Sequence, residues 1–166
     1  MLTTKASTVE AMASALGYRR VLVPIAGNPE SEKAMDVACR IATERSGVIR
    51  AVAVVEVPAL LPLDAHMVDE ESRAHQMLER AAAIADSYGV GVSIRCVRAR
   101  EAASGIVDQA VMSACEIVVM GAPRRRRPTH GPVFGSTVEH VLKRAPCRVM
   151  LIGAAPVEVY AINAAA

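Results

Sequence analysis

RRVLVPIAG at 19–27, NPE at 28–30 and IRAVAVVEVP at 49–58 together decide the fold of this chain. The first run is short, apolar and rich in β-branched residues, and a glycine closes it, which predicts a buried strand. Asn28, Pro29 and Glu30 then supply an N-cap, a proline at the first helical position and an acid in the first turn. The helix so announced carries Ala34, Val37, Ala38 and Ile41 on one face and stops near Gly47. The run at 49–58 is nearly continuous in apolar residues, as expected of a strand covered on both faces. Strand, helix and strand make one β-α-β unit.

Working outward, the alternation continues. LLPLDAHM (60–67) contains a breaking proline and reads as a loop. EESRAHQMLERAAAIADSYG (70–89) places Ala74, Met77, Leu78, Ala81, Ala85 and Tyr88 on one helical stripe. GVSIRCVRA (91–99) alternates like a strand with one wetter face, so it belongs near a sheet edge. EAASGIVDQAVMSA (101–114) is helical, with Ala103, Ile106, Val107, Ala110 and Val111 as its buried face. CEIVVMGAP (115–123) is a fourth strand, VEHVLKRAP (138–146) a helix ended by Pro146, and CRVMLIGAA (147–155) a fifth strand. Repeated strand-helix alternation predicts an α/β fold with a parallel, doubly wound sheet and right-handed crossovers.

The 166 residues suffice for one domain, expected over 19–153. Residues 1–18 form a leader in which Val9, Met12, Ala13 and Leu16 share a helical face, predicting a short amphipathic helix. Residues 154–166 are expected to be a flexible, Ala-rich tail. Apolar residues make up 52% of the chain but aromatics only 2%, so the core must be aliphatic. The formal net charge of +2 creates no global basic field, and nucleic acid is not an expected partner. The N-terminus lacks the apolar core of a signal peptide, and no run approaches the roughly 20 residues needed to span a bilayer. A cytoplasmic protein without direct membrane insertion is expected. Cys39, Cys96, Cys115 and Cys147 sit singly in apolar segments with no C-x-x-C pair, which favours small buried hydrophobes over disulfides or zinc.

In a doubly wound sheet a ligand sits beyond the carboxyl ends of the strands, where the strand order reverses. That directs attention to Pro24, Ile25, Ala26 and Asn28 after the first strand, Val54 to Val57 at the end of the second, and Met120, Gly121 and Ala122 at the end of the fourth. No G-x-x-x-x-G-K-[ST] loop, G-x-G-x-x-G fingerprint or G-x-S-x-G elbow occurs. The four histidines are too scattered for a metal pair at helical spacing, so no catalytic residue and no metal site are expected.

The informative stretch is MGAPRRRRPTHGPVFGST (120–137): a glycine after a buried strand, a basic run, then Gly135-Ser136-Thr137 opening a helix. Free amides at a helix N-terminus suit phosphate oxygens, and the Ser136 and Thr137 hydroxyls would add hydrogen bonds. An alternative needs no ligand, because Ser136 and Glu139 satisfy the S-x-x-E capping box. Arg124, Arg125, Arg126 and Arg127 likewise admit two readings, a solvated mobile loop or a guanidinium clamp on phosphate.

VLVPIAG (21–27), VVEVP (54–58), VVMGAP (118–123) and FGSTVEHVLKRAPCRVMLI (134–152) resemble the universal stress protein family over roughly residues 19–153. The resemblance implies a five-stranded parallel sheet of order 3-2-1-4-5 with helices on both faces, and a homodimer through the strand at 147–152. Nucleotide-binding members carry G-x2-G-x9-G-[ST]. Gly121 matches the first glycine, Gly135 and Ser136 the last pair, and Thr137 and Val138 follow where phosphate contacts are made. Val54 matches the residue that packs on adenine, and Pro24 and Ile25 the end of the first strand. Three positions depart from the pattern: the family's acid after the first strand is Ala26, its second glycine is Arg124, and the loop is one residue longer. An arginine in that place would shift specificity toward a larger or more charged ligand, such as a cyclic dinucleotide.

VPIAGNPE, VVEVP, PLD and FGS further resemble universal stress domains associated with amino-acid permeases and cation/proton antiporters. The function expected is a non-catalytic cytoplasmic sensor that binds ATP, AMP or a cyclic (di)nucleotide, with weak ATPase activity as a lesser option. The alternative is a nucleotide-independent interaction module regulating a membrane transporter. It would dock through the leader or through residues 58–68.

Overall fold

The computed structural model describes residues 17–123 and 134–153. The leader helix and the tail read from sequence, and the run Arg124–Arg127, lie outside the described residues.

The elements are β1 (Arg20–Pro24), α1 (Pro29–Thr43), β2 (Val48–Glu56), α2 (Val68–Ser87), β3 (Val92–Ala99), α3 (Ala102–Met112), β4 (Ile117–Ala122), α4 (Ser136–Arg144) and β5 (Arg148–Gly153). All strand pairings are parallel, and the sheet order is β3-β2-β1-β4-β5. The doubly wound α/β sheet expected from the alternation, in the order implied by the family resemblance, is the observed fold. The wetter strand β3 is at an edge, where its exposed middle residues meet solvent.

Successive strand residues point to opposite faces, and both faces are covered. Val21 and Val23 of β1, Ile117 and Val119 of β4, and Ala51, Ala53 and Val55 of β2 pack with α1 and α2. Leu22, Val52, Val118 and Met120 point the other way, into a second cluster with Ile106 of α3 and Val138 and Val141 of α4. Burying a side chain such as Leu22 contributes about 2 kcal/mol. The scarcity of aromatics is met by small contact residues. Ala34, Ala38 and Ala42 on α1, and Ala74, Ala81 and Ala85 on α2, are all buried and let the helices lie close on the sheet.

α1 and α2 cover one face and α3 and α4 the other, so the winding reverses between β1 and β4. The two strands diverge in connectivity at that point and leave a crevice past their carboxyl ends.

Candidate nucleotide-type cleft at the switch point

A cleft of about 720 Å³ opens there, within the size range of small-molecule sites. Its walls come from the ends of β1, β2 and β4 and from the starts of α3 and α4, and α2 forms a lid-like flank. Each wall is built by a local rule.

At the end of β1, the Ile25 amide donates to the Val52 carbonyl at 2.8 Å, which carries the strand into the cleft. Gly27 then turns the chain with φ of +72°, a conformation that disfavours a side chain. A Cβ there would also run into the Met77 sulfur, so the glycine is what allows α2 to close on the cleft. Asn28 caps α1 as its position predicts. Its Oδ1 accepts the Ser31 amide at 2.8 Å, and the Ser31 hydroxyl donates back to the Asn28 carbonyl at 2.8 Å.

Three helix N-termini face this cleft, and they are not equivalent. That of α1 is closed by Asn28. That of α3 receives the Glu56 carboxylate, whose Oε1 accepts the Ala102 amide at 2.7 Å. A negative charge is favourable at that place, since the helix dipole and free amides both attract it. At α4 the N-cap is Gly135, with extended φ −67° and ψ 162°, and it provides no side-chain hydrogen bond. The capping-box reading of Ser136 and Glu139 therefore fails. Its S-x-x-E pattern requires Ser136 outside the helix, whereas the helix starts with Ser136, and the Glu139 amide bonds the Gly135 carbonyl at 3.2 Å. The opening amides of α4 carry no side-chain acceptor among the described residues.

Of the residues singled out in the sequence, Pro24, Ile25, Ala26, Asn28, Val54, Met120, Gly121, Gly135, Thr137 and Val138 line the cleft together. Ala122 does not line it: its methyl is buried on the Met120 face, in the cluster with α3 and α4. The Ser136 side chain is exposed and also off the lining. Arg124 lies outside the described residues. Of the residues that flank positions 124–133, Pro123 is on the cleft wall and Phe134 packs against the α3 and α4 cluster.

Sequence reasoning missed the contribution of α2. Ala74 and Met77 were legible as a helical stripe, but nothing in their spacing announced that the same stripe would meet a ligand cleft. Glu70 and Arg73, exposed on the rim, had no signal at all. Glu56 fell within the strand-end segment that the switch-point rule points to, although its role at the α3 N-terminus was not apparent.

Residues 17–153, almost the whole of the described domain, match the universal stress protein family. The chain belongs to that family. A curated universal stress protein of Methanocaldococcus jannaschii is 25% identical over 141 residues, covering 81% of this chain and 82% of that protein. A universal stress protein structure from Archaeoglobus fulgidus superposes with a TM-score of 0.69 at 22% identity, covering 81% of this chain and 98% of the other. A further structure from the same organism, in complex with dAMP, gives a TM-score of 0.66 at 19% identity over 82% and 99% of the two chains. At these identities the structural likeness is one of fold. No helix among the described residues is long and apolar enough to cross a membrane.

Proposed function

We propose that this universal stress protein is a non-catalytic sensor that binds an adenine nucleotide in the cleft beyond β1 and β4. The observation that carries this reading is the unequal treatment of the three N-termini that face the cleft: those of α1 and α3 have side-chain acceptors, and that of α4 has none among the described residues. An anionic group is the natural partner for such amides. In this reading the base rests on Val54, Ile25 and Met120, near Pro24, Ala26 and Asn28. The phosphates meet the amides of Ser136, Thr137 and Val138, with Gly121 and Gly135 allowing close backbone approach. Pro123 on the cleft wall immediately precedes Arg124 in the chain, and the reading assigns Arg124 to the phosphates.

The dAMP complex of the Archaeoglobus fulgidus relative supports this class of ligand. Ala26 offers no carboxylate and Glu56 is engaged at α3, which leaves Glu70 on the rim, and the reading gives Glu70 no hydrolytic role. Calorimetric titration with ATP, AMP, cyclic AMP and cyclic di-AMP tests it: saturable binding of at least one supports it, and no heat from any at high micromolar concentration refutes it. A phosphate-release assay with ATP tests the absence of turnover.

A homodimer through the free edge of β5, in the cytoplasm, belongs to the same proposal. Among the described residues β5 pairs with β4 alone, so its other edge is offered to a second copy. Sedimentation at micromolar concentration is the direct check.

A second reading has its own support. Leu60 is 97% and Val68 72% exposed, with Leu61 and Leu63 also exposed beside them, so the connection from β2 to α2 presents apolar side chains to solvent. A partner such as a membrane transporter would dock on this surface without requiring nucleotide. Pull-down of a co-expressed transporter with the Leu60→Asp, Leu61→Asp variant decides this: retained capture counts against the docking surface.

A further inference from the structure

Cys115 and Cys147 precede β4 and β5, neighbouring parallel strands, at the end of the sheet opposite the cleft. Their sulfurs lie 3.4 Å apart, although the residues are 32 positions apart in the chain. Both are free thiols. Cys115 is buried, and Cys147 is half-buried at the margin of the same apolar cluster. Two thiols already in contact need only a small backbone adjustment to reach bonding distance, about 2.05 Å for a disulfide.

We propose that Cys115 and Cys147 form a reversible intramolecular disulfide, an oxidation site for peroxides and low-molecular-weight disulfides. Cys147, the more exposed of the two, is the accessible nucleophile. It attacks the outer oxygen of a hydroperoxide; the O–O bond breaks, the departing alkoxide or hydroxide takes up the proton released by the Cys147 thiol and leaves as alcohol or water, and Cys147 becomes a sulfenic acid. The Cys115 sulfur then attacks the Cys147 sulfur. Its proton leaves with the displaced hydroxide as water, and the S–S bond forms. Across both steps two thiols lose two electrons and the peroxide gains them. An external dithiol reverses the reaction by exchange.

The order of attack follows from the surroundings. Burial, followed by the hydrogen bond with Cys147, pushes the Cys115 thiol up to about 12, so it stays protonated at neutral pH and is the poorer first nucleophile.

The bridge has a structural consequence. The chain between the two cysteines comprises β4, residues 124–133 and α4, and so contains Gly121, the arginine run and Gly135 to Val138. Oxidation closes this excursion into a covalent loop tied at its base, on the far side of the sheet from the cleft. The unfolded chain loses freedom, so the oxidised form should resist denaturant better. This inference stands whether or not the cleft binds a nucleotide.

The full chain, reduced and then exposed to hydrogen peroxide or oxidised glutathione under native conditions, provides the test. Free thiols should fall from four to two. A non-reducing digest should contain the Cys115–Cys147 linked peptide in a protein of monomer mass, and the unfolding midpoint in urea should rise. Cys147→Ser should abolish the thiol loss, whereas the double variant Cys39→Ser, Cys96→Ser should retain the bridge. Four thiols remaining, linkage only between copies, or bridging no faster in the native protein than in denaturant would overturn the proposal.

Discussion

Gly121 at the end of β4 lies directly against Ser31 in the first turn of α1: a Cβ on Gly121 would sit 2.6 Å from the Ser31 nitrogen and 2.5 Å from the Glu30 carbonyl carbon. No real side chain fits at those distances. The glycine that the family motif associates with nucleotide is required here, first of all, by the packing of α1 on β4.

Gly121→Ala should therefore destabilise the protein with no ligand present. The two backbones must separate, and overpacking of this kind costs about 1–3 kcal/mol. Urea unfolding of the ligand-free protein measures it. An unchanged midpoint would mean that α1 moves aside freely.

Gly135 behaves in the opposite way. It has φ of −67°, and a Cβ built on it meets nothing within 4 Å. Gly135→Val should keep the fold, losing less than about 1 kcal/mol at the helix cap. If phosphate sits on the α4 amides, nucleotide affinity should drop at least about tenfold, equivalent to about 1.4 kcal/mol. Calorimetry on the folded variant separates the two effects, and undiminished affinity would remove Gly135 from the site.

Asn28 serves both as the cap of α1 and as part of the cleft lining. Asn28→Ala should lower stability by about 1 kcal/mol, and Asn28→Ser, which keeps a side-chain acceptor, should recover most of it. Thermal unfolding of the pair provides the comparison. A nucleotide affinity lost in both variants, with stability recovered only in the serine one, would assign Asn28 a direct ligand contact.

Glu116 ties the start of β4 to β1. Its Oε2 accepts the Arg19 amide at 2.6 Å and the Arg20 amide at 3.1 Å, and its Oε1 accepts the Arg20 guanidinium at 3.3 Å. These backbone hydrogen bonds, that of Arg19 first, hold its carboxyl below the usual 4.5. A depressed folded value means that the contribution is complete above about pH 4.5 and is lost as pH falls through the folded value. Glu116→Gln should cost about 1 kcal/mol near neutrality. The gap between the unfolding curves of the two proteins, present at about pH 7, should narrow progressively as the pH falls below about 4.5. A deficit that persists in acid would show that charge is not its basis.

The thiols should differ sharply in alkylation. Burial pushes Cys39 up to about 11 and Cys115 to about 12, and it also raises Cys96. With iodoacetamide at about pH 8, the half-buried Cys147 should be labelled first, and Cys39 and Cys115 only on unfolding. Time-resolved peptide mass mapping reads the order directly, and early labelling of Cys115 would contradict its burial.

Much of the architecture could be read before any coordinate. Apolar runs and helical stripes report burial residue by residue, and a cap such as Asn28 involves only its next three neighbours. The five strands and the four helices of the domain follow from that near-neighbour information, and the strand order that fixes the switch point came from the family resemblance. Met120, Gly121, Gly135 and Thr137 were found by the near-neighbour route, because they sit at strand and helix ends, whereas Val138 came from the family resemblance.

Other features belong to the tertiary structure alone. The S-x-x-E pattern was compatible with two starting points for α4, and only the path of the chain into the helix put Gly135, not Ser136, at the cap. The closure of α2 on the cleft depends on Gly27 meeting Met77, 50 residues away in sequence. The contacts of Gly121 with Ser31 and of Cys115 with Cys147 arise from crossovers that bring distant strand and helix ends together. Sequence periodicity encodes which face of an element is buried; it does not encode what that face will touch, because contact is decided by packing between elements and not by spacing along the chain.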